Sequence, residues 1–239
     1  MCRAALLADW LPTVSAQVAA GELTWMIQRE DQGPHTHLPD AAGNVPNADA
    51  LIIMDLARHK RLAGAEIRAA DIPGWSALVA AARRVEAWRV RSFVRRGPVR
   101  EDPVRDGPAR GVSIAPTALT MVSFVSRRAD LDHDQFVTHW TRRHTPLALR
   151  HHTGLSGYRQ HVVDEALTPG GASIDGIAEL AFAELADYEQ RYYDSDAGKQ
   201  VIRDDVARFI EPVPVRLTTL MERPDLVGGD PAADRRGAR

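Results

Sequence analysis

The sequence predicts an α+β fold: two ferredoxin-like repeats fused in one chain, their antiparallel sheets packed into an α+β barrel. Three observations carry this expectation. Residues 118–224 alternate in the order strand, helix, strand, strand, helix, strand. Residues 1–96 give the same order with the first strand absent. Matching positions recur between the halves. Trp10 stands to its helix as Trp140 does, Gly21-Glu22-Leu23-Thr24-Trp25 matches Gly154-Leu155-Ser156-Gly157-Tyr158, and Ala48-Asp49-Ala50-Leu51 matches Ile174-Asp175-Gly176-Ile177. The physical merit of the arrangement is coverage. A four-stranded antiparallel sheet with helices on one face leaves the other face bare, and a second copy covers it.

In the first half, residues 4–20 read as a helix with Leu7, Leu11, Val14 and Val18 on one face, Pro12 inside it and Gly21 closing it. Strand-like runs 22–29 and 48–56 flank a polar loop, 30–47, punctuated by glycine and proline. An Ala-rich helix, 74–86, leads into strand 87–95. There Trp88, Val90, Ser92 and Val94 share one face, and Arg89, Arg91, Phe93 and Arg95 the other. Residues 97–117 carry Pro and Gly at short intervals without apolar periodicity and read as a linker.

The second half opens with strand 118–126. The helix after it is expected to be capped by Asp132 or Asp134, and it carries Phe136, Trp140 and His144 at i, i+4 spacing on one face. Pro146 lacks an N–H. It is expected to leave a carbonyl near Arg142 without a partner and to push Thr145 away from helical angles. A short turn, 146–152, ends at Gly154. Strand 156–163, loop 164–173 and strand 174–182 follow, then helical segments over 184–210 interrupted near Asp194-Ser195, and strand 213–222. Residues 225–239, rich in Gly, Asp and Arg, are expected to be disordered.

Composition bounds the partners. A formal charge of -2 over 239 residues argues against nucleic acid or an anionic membrane as the main partner. The single cysteine, Cys2, excludes an internal disulfide and a Cys-based metal site and fits a reducing cytoplasm. No apolar run reaches the roughly 20 residues that span a bilayer. Arg3 followed by only Ala4 to Ala8 does not make a signal peptide.

Four histidines, at 139, 144, 151 and 152, fall inside fourteen residues. His144 follows Phe136 and Trp140 on the buried face at a helix end, where the dipole favours its protonated form. In an apolar cleft it suits proton transfer to or from a substrate. The alternative is a core histidine bonded to a carbonyl freed by Pro146. His139 lies roughly 140° away on an ideal helix, so the two rings are not expected to share one ligand. His151 and His152 read as a solvated helix end. Two histidines at i, i+4 are absent, and no carboxylate stands at helical spacing from His144, so no metal is expected. A haem would need an axial histidine; His144 or His161 offer one and nothing selects between them. There is no phosphate loop, nucleophile elbow or dinucleotide fingerprint, and no cofactor is expected. The Tyr158 hydroxyl suits orienting a carbonyl or stabilising an enolate, or it simply packs. Glu179, flanked by apolar residues in a strand, needs a partner or a raised pKa; pairing with an arginine across the barrel competes with a general-base role. Asp175 recurs as Asp49, which suggests a structural task.

Phe136-x-x-His139-Trp140-x-x-x-His144-Thr145-Pro146-Leu147, then Gly154-Leu155-x-Gly157-Tyr158, then Asp175-Gly176-Ile177-Ala178-Glu179-Leu180-x-Phe182, then Phe209-Ile210, resemble the EthD family of the dimeric α+β barrel superfamily. The resemblance covers roughly 120–222. The first half resembles a degenerate copy without a counterpart of His144, and Ile53 stands where Glu179 would be. The resemblance implies a ligand cleft between sheet and helices. It also implies chemistry like that of the superfamily's cofactor-free monooxygenases, cyclases and isomerases, although fold does not fix reaction. The expectation is a cofactor-independent lyase or isomerase acting on a small apolar oxygenated compound such as an aromatic polyketide or lactone. Its catalytic candidates are His144, Tyr158 and Glu179. Phe136, His139, Trp140, Arg143 and His161 are the substrate-binding candidates. Two other expectations stand beside it: a non-catalytic ligand-binding or accessory protein, and a cofactor-free monooxygenase. The chain is expected as a monomer with an internal pseudo-dimer or as a homodimer.

Overall fold

The second half supplies the centre of the sheet. A computed structural model describes residues 23–28, 36–37, 50–54, 67–72, 74–81, 85–96, 119–168, 174–211 and 217–222. The expected helix 4–20, linker 97–117 and tail 225–239 lie outside the described residues. The first-half elements are β1 (Leu23–Gln28), β2 (Thr36–His37), β3 (Ala50–Met54), α1 (Trp75–Ala81) and β4 (Trp88–Arg96). The second half begins with β5 (Leu119–Val125), α2 (His133–Thr138), a π-helical turn (His139–His144) and α3 (Thr145–His151). It continues through β6 (Leu155–Ala166), β7 (Gly176–Phe182), α4 (Leu185–Arg191), α5 (Asp196–Val206) and β8 (Leu217–Glu222). The fold is α+β. Its sheet runs β3-β1-β8-β5-β7-β6-β4, with β2 paired to β8, inside the stretch read as a loop. The strands of each neighbouring pair are antiparallel.

Every residue of β5 is buried, so this strand is covered on both faces. One face packs against helices: Met121, Val125, Tyr158, Leu180 and Phe182 form one core with Phe136, Trp140 and Phe209. On the other face, Val122, Phe124 and Ile177 pack with Leu51 and Ile53 of β3 and with Trp88 of β4. β3 and β4 stand at opposite ends of the strand order, yet they reach one cluster, and the Trp88 and Phe124 rings lie 6.1 Å apart. The sheet therefore curls until its ends shield its own middle.

Asp132 caps α2: its carboxylate accepts the Gln135 N–H while Gln135 reaches back to the Asp132 N–H. The next turn departs from the expectation for Pro146. Thr145 keeps helical angles, φ -53 and ψ -49, and its N–H donates to the carbonyl of Trp140, five residues back. Its hydroxyl donates to the same carbonyl at 3.0 Å. A widened π turn is the local answer to a proline ring that would collide with the carbonyl four residues earlier. Gly176 seats this turn on the sheet, because a Cβ there would overlap the Trp140 indole. Tyr158 lies inside β6, which runs from Leu155 to Ala166 rather than over 156–163.

Candidate functional site

Hydrogen bonds running five residues back place residues five apart on one side of the π turn. His139 and His144 thereby reach a single carboxylate, that of Asp205 on α5. His139 Nε2 lies 2.9 Å from one oxygen and His144 Nδ1 lies 2.9 Å from the other. One expectation fails here: the rings do share a partner, since the ideal-helix angle does not apply to this turn. No carboxylate stands at helical spacing from His144, as expected; Asp205 comes from 61 residues away. Asp205 is buried, which alone would raise its pKa, but the hydrogen bonds from His144 and His139 outweigh burial and hold it below the usual value. A carboxylate only accepts, so His144 presents its Nδ1–H to Asp205. Phe209 braces both rings, with His139 stacked on it at 4.7 Å and His144 tilted at 5.1 Å.

His152 is a second correction. It is 2% exposed rather than solvated. Its Nδ1 donates to the Tyr192 carbonyl at 2.7 Å. Burial pushes its pKa down to about 4, against the favourable hydrogen bond. The ring is thus neutral at pH 7, with a lone pair at Nε2.

Tyr158 is fully buried, and burial pushes its phenol up to about 12 although hydrogen bonds with Gln160 and Trp140 oppose the rise. Its oxygen accepts from Gln160 Nε2 at 2.8 Å, which leaves its own proton to donate. Gln160 is in turn fixed by Arg95 of β4, whose Nε donates to its Oε1 at 2.8 Å.

His144, His152 and Tyr158 border a cavity of about 260 Å³ between the sheet and the helices. Met121, Leu180, Ile202 and Ile210 supply apolar wall, and Trp140, His144, His152 and Tyr158 also line it. Among the described residues, no group of three or more His, Cys, Asp or Glu is arranged to hold a metal ion.

The residues singled out in the sequence fall in different places. Trp140, His144 and Tyr158 line the cavity. Phe136 belongs to the core beneath it, and His139 backs Asp205. Arg143 is exposed. Asp175 accepts the Arg127 N–H at 2.8 Å and pairs with the Arg127 guanidinium, a strand-start role. Glu179 and His161 lie elsewhere. Strand alternation turns them to the sheet face away from the cavity, where His161 Nε2 meets Glu179 at 2.7 Å. Arg159, on the neighbouring strand rather than across a barrel, reaches Glu179 at 3.4 Å. Asp205 went unnoticed in the sequence, although a signal was present: it interrupts the buried stripe Ile202, Asp205, Phe209.

Residues 128–212 match the EthD domain model. A solved structure described as an anthrone oxidase-like protein superposes with a TM-score of 0.53 at 9% identity, covering 93% of this chain and 85% of that one. At that identity the likeness speaks to fold alone. No curated protein matches the chain.

Proposed function

We propose that this chain, whose residues 128–212 match the EthD domain model, is an enzyme that moves protons on a small, largely apolar, oxygenated substrate held between sheet and helices. The reactions in view are dehydration, cyclisation or isomerisation. The observation that carries this reading is the His144–Asp205 pair at the cavity wall. His144 Nε2 takes a proton from a carbon acid, and the Asp205 carboxylate stabilises the imidazolium that results. Tyr158 donates its hydroxyl proton in a hydrogen bond to the developing enolate oxygen. His152, neutral and buried, offers a second imidazole nitrogen for proton exchange. Apolar walls strengthen each of these interactions by excluding water.

Anthrone, a carbon acid with a ring carbonyl, tests the reading. Under anaerobic conditions in deuterated water, the protein is expected to accelerate deuterium uptake at the anthrone methylene, and His144→Gln is expected to remove the acceleration while preserving the fold. Unchanged exchange in His144→Gln would remove this mechanism. One observation favours a second reading, cofactor-free oxygenation: the solved structure of similar fold is described as anthrone oxidase-like. The same deprotonation yields an electron-rich anion that reacts with dioxygen. Oxygen consumption matched to anthrone loss under air selects this reading; exchange without oxygen uptake selects the first.

A further inference from the structure

The sheet face turned away from the cavity carries a second array. β4 and β6 pair so that Ser92 stands directly opposite His161. Ser92 Oγ lies 2.7 Å from His161 Nδ1. His161 Nε2 lies 2.7 Å from Glu179 Oε1, and the Arg159 guanidinium reaches the other oxygen of that carboxylate at 3.4 Å. His161 and Glu179 are 2% and 3% exposed, whereas Ser92 is exposed. The tautomer follows from the partners. Glu179 as a carboxylate accepts only, so it fixes the hydrogen on Nε2; Nδ1 then carries the lone pair, and Ser92 is the donor. A buried histidine–carboxylate pair with its hydrogen on Nε2 keeps one acceptor nitrogen, Nδ1, that needs a donor. A pair that holds an open serine hydroxyl at short range has the parts of an activated nucleophile: hydroxyl, base, and the group that orients the base.

We propose that Ser92, His161 and Glu179 form a second reactive site, distinct from the cavity, that accepts small activated acyl esters. Ser92 Oγ attacks the ester carbonyl carbon as its proton passes to His161 Nδ1, and Glu179 holds the imidazolium through Nε2–H. The bond to the leaving alkoxide breaks, and that oxygen takes the proton from His161. Water then gives a proton to His161 and its oxygen to the acyl carbon. The Ser92 oxygen departs, is reprotonated from His161, and the carboxylic acid is released. Val94, two residues on along the same face of β4 and 68% exposed, offers an apolar surface beside the hydroxyl, which suits short acyl groups on good leaving groups.

The full-length protein is treated with a fluorophosphonate, and separately with 4-nitrophenyl acetate. The expected results are one fluorophosphonate adduct per chain, mapped to Ser92 by peptide mass spectrometry, and a burst of about one equivalent of 4-nitrophenolate. Ser92→Ala, an exposed substitution, removes both, and His161→Gln slows labelling roughly 100-fold or more. The adduct map on the unaltered protein does not depend on either variant folding. Absence of an adduct, or an adduct on any other residue, overturns the proposal.

Discussion

Asp205 turns two histidines into one device, and its replacement separates orientation from mere presence. Asp205→Asn keeps shape but loses the charge that both rings face. The expected outcome is anthrone exchange slowed roughly 10²–10⁴-fold and stability lowered by about 1–3 kcal/mol, read by exchange kinetics and urea unfolding. His152 gives a pH prediction. Its unfolded pKa is the ordinary 6.5 and its folded pKa is about 4. The unfolded state therefore binds the proton first on acidification. The stability held by the neutral buried ring is complete above pH 6.5 and is lost as pH falls towards 4, by about 3 kcal/mol over the window. Urea unfolding at steps between pH 7.5 and 4 checks this: His152→Gln is expected to show a shallower pH slope than the parent. At this scale the sequence was half legible. Spacing alone put His144 on the buried face with Trp140. Asp205 was hidden because a contact over 61 residues leaves no local pattern, and His152 was misread because a histidine just past a helix end usually meets water.

At the scale of elements, the strands were readable and the decisive turn was not. Alternation located β4, and glycine–proline punctuation bounded the apolar runs of β5, β6 and β7. The π turn has no such signature. Pro146 announces a disturbance, but whether the chain breaks or widens depends on what holds the Trp140 carbonyl, and its partners include Gln160 of another strand, whose Nε2 lies 3.3 Å away. The seat of the turn is testable. Gly176→Ala puts a methyl group into the Trp140 indole. A cost of about 1–3 kcal/mol is expected, with an altered near-ultraviolet circular dichroism band from the displaced ring and weakened anthrone exchange. Unaltered melting and spectra would show that the indole has room to move.

The whole molecule explains why the first half is kept although the cavity residues all come from the second. Strands β1 and β4 extend the two edges of the four-stranded β8-β5-β7-β6 core, and β3 and Trp88 cover its far face. The order read from the sequence anticipated the need for such a cover. It did not show that the cover arrives as one curled sheet joined at both edges, since edge pairing depends on register across long separations. The first half also reaches the site: Arg95 fixes Gln160, which holds Tyr158, and the Arg96 guanidinium donates to the carbonyls of Leu149 and Leu155. A fragment of residues 119–222 would expose Val122, Phe124 and Ile177, now at most 5% accessible, and leave the β8 and β6 edges unpaired. Exposed apolar patches and open strand edges drive association. Light scattering on the fragment is therefore expected to show dimers or larger species, with Phe124→Lys shifting it towards monomer. A fragment that stays monomeric with its far face intact would mean that the first half is dispensable to the fold, and its contribution would reduce to the arginines that steady Gln160 and α3.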